Sequence, residues 1–208
     1  MKKTLLAIFL IVSALLSAQK VKFGAKAGLN VSTLTGDLGD TSSKAGFYGG
    51  VYTRIPISSS KFSFQPEILF SMQGTKEKDS YTTLTVHETI KGNYKFNYIN
   101  IPLMLQYEII PGLRVEFGPQ FGFMVTKKYD IDYYYYYYNI LEEELHVSGT
   151  AKNLKTFDFG LNVGANYELK NGVNFSARYN FGLTNLSDVS DYSVKNSVFS
   201  IGVGYTLK

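Results

Sequence analysis

The residues that could do chemistry are few and scattered. The chain has two histidines, His87 and His146. Hydrolysis of the serine type needs a serine and a histidine in hydrogen-bond reach, with a carboxylate to orient the ring. His146 follows Glu142-Glu143-Glu144, and His87 precedes Glu88. Both read as solvated loop residues rather than as bases. No HExxH, glycine-rich phosphate loop or metal-spaced acidic cluster appears. Asp37 to Asp40 and Asp188 to Asp191 could hold a cation weakly, but loop acids ordinarily just meet water. Cysteine is absent, which excludes disulfides and thiolate metal sites, and also a lipoprotein's acceptor cysteine. No catalytic residue, metal or cofactor is expected.

Ten other charges do follow a pattern. Lys22, Lys26, Arg54, Arg114 and Arg178, with Glu67, Glu108, Glu116, Asp158 and Glu168, fall on the polar side of a two-residue alternation. From Phe23 the chain reads Phe23, Ala25, Ala27, Leu29, Val31 on one parity and Lys22, Gly24, Lys26, Gly28, Asn30 on the other. Successive side chains of a β-strand point to opposite faces, so this is a strand with one apolar and one polar face. The pattern returns over residues 20–32, 44–55, 61–73, 93–109, 113–125, 156–169, 173–184 and 197–207. Short connections at residues 56–60, 110–112 and 170–172 alternate with long ones at 33–43, 74–92, 126–155 and 186–196. Asn171-Gly172 is a strong two-residue hairpin signal.

The N-terminus explains where such strands would go. Lys2 and Lys3 precede an apolar run from Leu5 to Leu16, and Ser17-Ala18-Gln19 offers a cleavage site. The run is too short for a spanning helix, which needs about 20 residues. We expect a signal peptide at residues 1–18 and one domain at 19–208. The formal charge of +4 falls to +2 once Lys2 and Lys3 leave, a balance that does not argue for nucleic acid. Eight two-faced strands, short turns on one side and long loops on the other describe an all-β, eight-stranded antiparallel up-and-down transmembrane β-barrel in the outer membrane.

A soluble barrel or sandwich would carry the same alternation with the apolar face inward. The small polar residues crowding the other face fit a narrow lumen instead. The aromatics cluster towards strand ends: Phe23, Tyr107, Tyr167 and Tyr205 at one rim, and Phe47, Phe70, Phe123, Phe157 and Phe181 at the other. Pro66 and Pro119 are awkward in either fold, because each removes a ladder donor.

With the apolar face to lipid, the charges face a lumen just wide enough for side chains. Lys26, Arg54, Glu67, Glu116, Asp158 and Arg178 lie in mid-strand and form the expected central network. Such a set is a salt-bridged plug, a narrow ion path or, least of all, a catalytic carboxylate pair. The longest loop contains Tyr133, Tyr134, Tyr135, Tyr136, Tyr137 and Tyr138 in succession. Tyrosine is favoured in binding surfaces, but it also suits strands, so the run is either a contact surface or a β-ribbon above the membrane, or both.

Gly24-Ala25-Lys26-Ala27-Gly28-Leu29-Asn30 resembles the first strand of the Bacteroidetes outer-membrane β-barrel domain family, often labelled porin-family or PorT-like. Tyr98-Ile99-Asn100-Ile101-Pro102-Leu103, Phe117-Gly118-Pro119-Gln120-Phe121-Gly122 and Ser200-Ile201-Gly202-Val203-Gly204-Tyr205 are similar to its later strands. The usual terminal aromatic is replaced by Leu207-Lys208, leaving Tyr205 for the assembly signal. The resemblance implies a small barrel of OmpA/OmpX-like size and no shared catalytic residues. The expected function is therefore non-enzymatic, structural or surface-interacting. The expected partners are outer-membrane lipid and an extracellular or envelope protein or glycan met by the loops, with the barrel a monomer. A narrow porin is the alternative, and a lipid-modifying barrel enzyme a third reading.

Overall fold

The computed structural model describes residues 21–37, 41–57, 61–138, 140–189 and 191–207. The expected signal peptide at residues 1–18 lies outside them. Nine antiparallel strands follow in order: β1 Lys22–Gly36, β2 Thr41–Pro56, β3 Phe62–Thr82, β4 Val86–Ile110, β5 Leu113–Tyr137, β6 Ile140–Thr150, β7 Phe157–Glu168, β8 Val173–Gly182 and β9 Val194–Thr206. From β1 to β5 each strand pairs with the next. Then β5 pairs with β7, β7 with β8, β8 with β9, and β9 returns to β1. Eight strands thus close a ring, and β6 stands outside it. Closure satisfies every interior ladder, the condition for strands to cross lipid.

The buried side of the ring is polar. Lys26, Asn30, Arg54, Glu67, Gln106, Glu116, Asn162 and Arg178 are all buried. Phe23, Phe47, Val51, Ile68, Phe117, Val163 and Phe199 on the opposite parity are about half exposed on the outer wall. This arrangement is inside-out relative to a soluble barrel and settles which face meets the apolar phase.

The prolines leave a visible trace. The β2–β3, β3–β4 and β4–β5 ladders each skip two positions beside Pro66, Pro102 or Pro119. A proline has no N–H to give, so pairing lapses locally and resumes in register. At the short-turn end, Gly112 and Gly172 adopt φ of 87° and 95°, a region that favours glycine.

The long connections were expected as loops and are largely strand. β3 runs on to Thr82, β4 begins at Val86, β5 continues to Tyr137, and β6 pairs with β5 from Lys128 upward. Together these extensions form a four-stranded sheet projecting beyond the ring. Its faces are reset at Val125: Asn97 pairs with Thr126 but Tyr98 pairs with Met124, so one residue of β5 is extra. Above that bulge, register puts Tyr129, Ile131, Tyr133, Tyr135 and Tyr137 on the face shared with Ile90, Tyr94, Leu145 and Val147. The opposite face carries Lys91, Lys95, Asp130, Asp132 and His146. The tyrosine run is therefore a β-ribbon, as one of its two readings had it.

Small residues on the lumen face make room for tyrosines lying across it. A Cβ on Gly202 would meet the Tyr48 hydroxyl at 2.1 Å and the Ala27 carbonyl oxygen at 2.7 Å. Gly202→Val should lower stability by about 1–3 kcal/mol through overpacking, read from urea unfolding in lipid vesicles. Wild-type stability in that variant would mean that Tyr48 is free to move aside.

Candidate functional site

The lumen is filled in layers, each built from inward-facing residues of several strands. The central layer turns on Arg178 of β8. Its guanidinium donates from Nη1 to Glu67 Oε2 at 3.0 Å and from Nη2 to Glu67 Oε1 at 3.0 Å. It also donates from Nε to Glu116 Oε1 at 2.9 Å and from Nη2 to the same oxygen at 2.7 Å. Lys26 Nζ donates to Glu67 Oε1 at 2.6 Å. Gln65 and Gln106 donate to the carboxylates of Glu67 and Glu116 at 2.8 and 2.9 Å. The planar fork of arginine fits this double demand, where a lysine would serve as a point charge.

Towards the short turns, Arg54 donates from Nε to Gln65 Oε1 and Gln106 Oε1, each at 3.1 Å, and pairs through Nη1 with Glu168. Arg114 bridges Glu168 at 3.4 Å and Glu108 at 3.3 Å. Tyr52 and Thr206 hydroxyls lie 2.8 Å apart, and Asn174 donates to Tyr52 at 2.8 Å. Below this layer opens a vestibule of about 750 Å³ that includes Lys22, Arg114, Glu168 and Lys170 in its walls.

Above the central layer come amides and hydroxyls. Asn30 donates to Ser71 at 2.7 Å, Asn180 to Asn162 at 3.1 Å, and Asn162 to Gln120 at 3.2 Å. They surround a space of only about 30 Å³, room for a water or two. At the outer end Leu34, Phe96, Tyr98, Met124, Leu186 and Val194 pack together as an apolar cap.

Of the six residues read from the sequence as a central network, Lys26, Glu67, Glu116 and Arg178 share one cluster, and Arg54 joins it through Gln65 and Gln106. Asp158 does not join; it stands apart at the outer end, where its one side-chain donor is Asn196. Facing the lumen was legible, but its height along the tilted wall was not. The bridging glutamines and the amide layer also escaped sequence reading. Their only signal was the polar parity they share with the charges. The histidines stand on strands rather than loops. His87 Nδ1 lies 2.6 Å from Thr82 Oγ1, and His146 Nδ1 lies 2.6 Å from Asp132 Oδ1, on the exposed sheet. No serine of the described residues shares either ring, and no group of histidines and acids there could hold a metal ion.

Removing Arg178 would leave two buried carboxylates beside one lysine. Arg178→Ala should cost about 3–5 kcal/mol in vesicle unfolding experiments, the range for breaking a buried ion pair. Adding Glu116→Gln to Arg178→Met, which leaves Lys26 matched by Glu67, should recover most of that loss. No recovery would show that the guanidinium's packing, not its charge, is what matters.

Comparison with known proteins agrees with this architecture. A family model described as outer membrane protein beta-barrel domain matches residues 17–188. The solved structure of Ail, the attachment invasion locus protein of Yersinia pestis, is 12% identical, with a TM-score of 0.50 over 89% of this chain and 98% of that one. Neisserial surface protein A is 13% identical, with a TM-score of 0.49 over 89% and 97%. OprG from Pseudomonas aeruginosa is 13% identical, with a TM-score of 0.37 over 91% and 97%. No curated protein matches the sequence. With a closed ring, an apolar outer wall and a polar lumen, this chain belongs to the outer membrane protein beta-barrel domain family.

Proposed function

We propose that this protein is a non-enzymatic surface-interaction barrel of the outer membrane, its lumen plugged and its projecting sheet the contact surface for an extracellular protein or glycan. The observation that carries the reading is the aromatic face of that sheet. Tyr133 and Tyr137 of β5 are 38% and 45% exposed. Beside them Glu88, Ile90, Glu143 and Leu145 help line a groove of about 340 Å³. Rings at alternate positions of a paired strand are held in place by the ladder, so they offer apolar area at small entropic cost. Carboxylates at the groove's edge add directional acceptors. Export through a cleaved signal peptide and a monomeric state belong to the same proposal. The layered lumen supports it from below, because side chains fill the path a solute would take. Among its neighbours in fold, Ail is named for attachment.

The test is a triple substitution, Tyr133→Ser, Tyr135→Ser and Tyr137→Ser, in the full-length protein displayed on cells. Binding to arrays of surface proteins and glycans should fall at least tenfold while heat-modifiable gel mobility stays as in the wild type. Unchanged binding would remove the sheet from the account, and wild-type cells that bind nothing on either array would remove the role.

The sheet also has an acid-sensitive prop. The hydrogen bond from Lys95 holds the half-buried Asp130 carboxyl below its ordinary value. A carboxyl lowered in the folded state stabilises above its unfolded value of about 4 and loses that contribution as pH falls through the folded value. Amide exchange around Asp130 should therefore quicken as pH drops below about 4, and Lys95→Ala should abolish that step. A step that persists in the variant would assign it to another acid.

A further inference from the structure

Asp158 is the lumen acid without a cation. It is 6% exposed, and no ion pair among the described residues reaches it. Its Oδ2 accepts one long bond from Asn196 Nδ2 at 3.4 Å, and its Oδ1 accepts none. Two more oxygens of buried residues lack partners, Asn196 Oδ1 and the Tyr98 hydroxyl, on residues 4% and 1% exposed. The same Asn196 Nδ2 also donates to Gln73 Oε1, at 2.6 Å.

Backbone register explains why these groups meet. Asp158 of β7 lies opposite Gly122 of β5. Where a Gly122 side chain would begin, Asp158 Cβ and Tyr98 Cδ1 each lie 3.4 Å away and Asn100 Oδ1 lies 2.9 Å away. The absent side chain lets Asp158 of β7 pack beside the Tyr98 ring and the Asn100 amide of β4, the other partner of β5. Asn196 of β9 reaches the same spot at the end of β8, where Gly182 has no side chain to interpose. The apolar cap closes the spot from outside.

The central layer has no positive charge to lend. Lys26 and Arg178 are matched one for one by Glu67 and Glu116. A carboxylate removed from bulk water without a counter-charge is costly, so it must be neutralised or joined by a cation. A water molecule could bond the free oxygens but would leave the charge uncompensated. One carboxylate with neutral amide and hydroxyl oxygens balances a single positive charge. Divalent hard cations bound by protein alone ordinarily draw on more oxygens and more carboxylates.

We propose that Asp158, Asn196 and Tyr98 form a binding site for an alkali-metal cation, Na⁺ or K⁺, sealed between the amide layer and the apolar cap. The bound ion ties β4, β7 and β9 together at the outer end of the lumen, where no direct ion pair of the described residues lies.

The test is urea unfolding of the full-length barrel in vesicles at neutral pH, in sodium, potassium or choline chloride of equal ionic strength. Choline matches the charge but is too large to enter. The wild type should unfold at a higher urea midpoint in sodium or potassium than in choline, and the better ion identifies the occupant. Asp158→Asn should lose the difference between salts and stand at least as high as the wild type in choline. Tyr98→Phe, which removes one oxygen and keeps the ring in the cap, should shrink the difference. Equal wild-type midpoints in all three salts would overturn the proposal and leave a neutral carboxyl or water at Asp158. A salt difference that survives in both variants would overturn it by placing the ion elsewhere.

Discussion

The interaction on which the rest of this structure depends is the fork of Arg178 between Glu67 and Glu116. A ring of strands in lipid must turn one parity of every strand outward to the acyl chains, so the other parity converges on a narrow lumen. Polar side chains there compete for very little water. They must satisfy one another or the barrel is filled with unpaired charge. Arg178 meets that demand for two strands at once, and Lys26 and the two glutamines complete it. Gly24 and Gly28 of β1 and Gly202 of β9 follow from the same crowding, since Tyr52 or Tyr48 lies where their side chains would be.

Where the lipid ends, the demand relaxes. Water can reach both faces of the projecting sheet, and the inside-out parity is no longer enforced. The bulge at Val125 marks the change: below it, alternation on β5 sorts lumen from lipid, and above it both faces of an open sheet carry tyrosines, Tyr134 and Tyr136 on one and Tyr133, Tyr135 and Tyr137 on the other. The lower part of that face is met by Ala151, Leu154 and Val194 around the apolar cap, while Tyr133 and Tyr137 stay open. One chain thus carries two sheet chemistries joined by a single extra residue.

Much of the ring was legible in the sequence, because period-two alternation over ten or more residues has one physical reading. The eight ring strands lie close to their expected places, and the parity of Lys26, Glu67 and Arg178 named the lumen face correctly. The outer sheet was not legible for a physical reason. In water an edge or extension strand need bury only part of one face, so Lys76-Glu77-Lys78-Asp79 and Glu142-Glu143-Glu144 carry charge on both parities and read as loop. Asp158 was misplaced for another reason. Mid-strand position in the sequence does not give height in a tilted, sheared barrel, and Asp158 lies a full layer above Arg178. Pro66 and Pro119 looked like obstacles to pairing, and the ladders indeed lapse beside them without losing register.

The central claim is that side chains seal the lumen. Single-channel recording in planar bilayers tests it most directly, with insertion confirmed by heat-modifiable gel mobility and an Arg54→Ala variant recorded beside the wild type. The account predicts a silent wild-type barrel at neutral pH. Discrete wild-type openings whose size changes in Arg54→Ala would contradict it, and would make the lumen charges the lining of a pore.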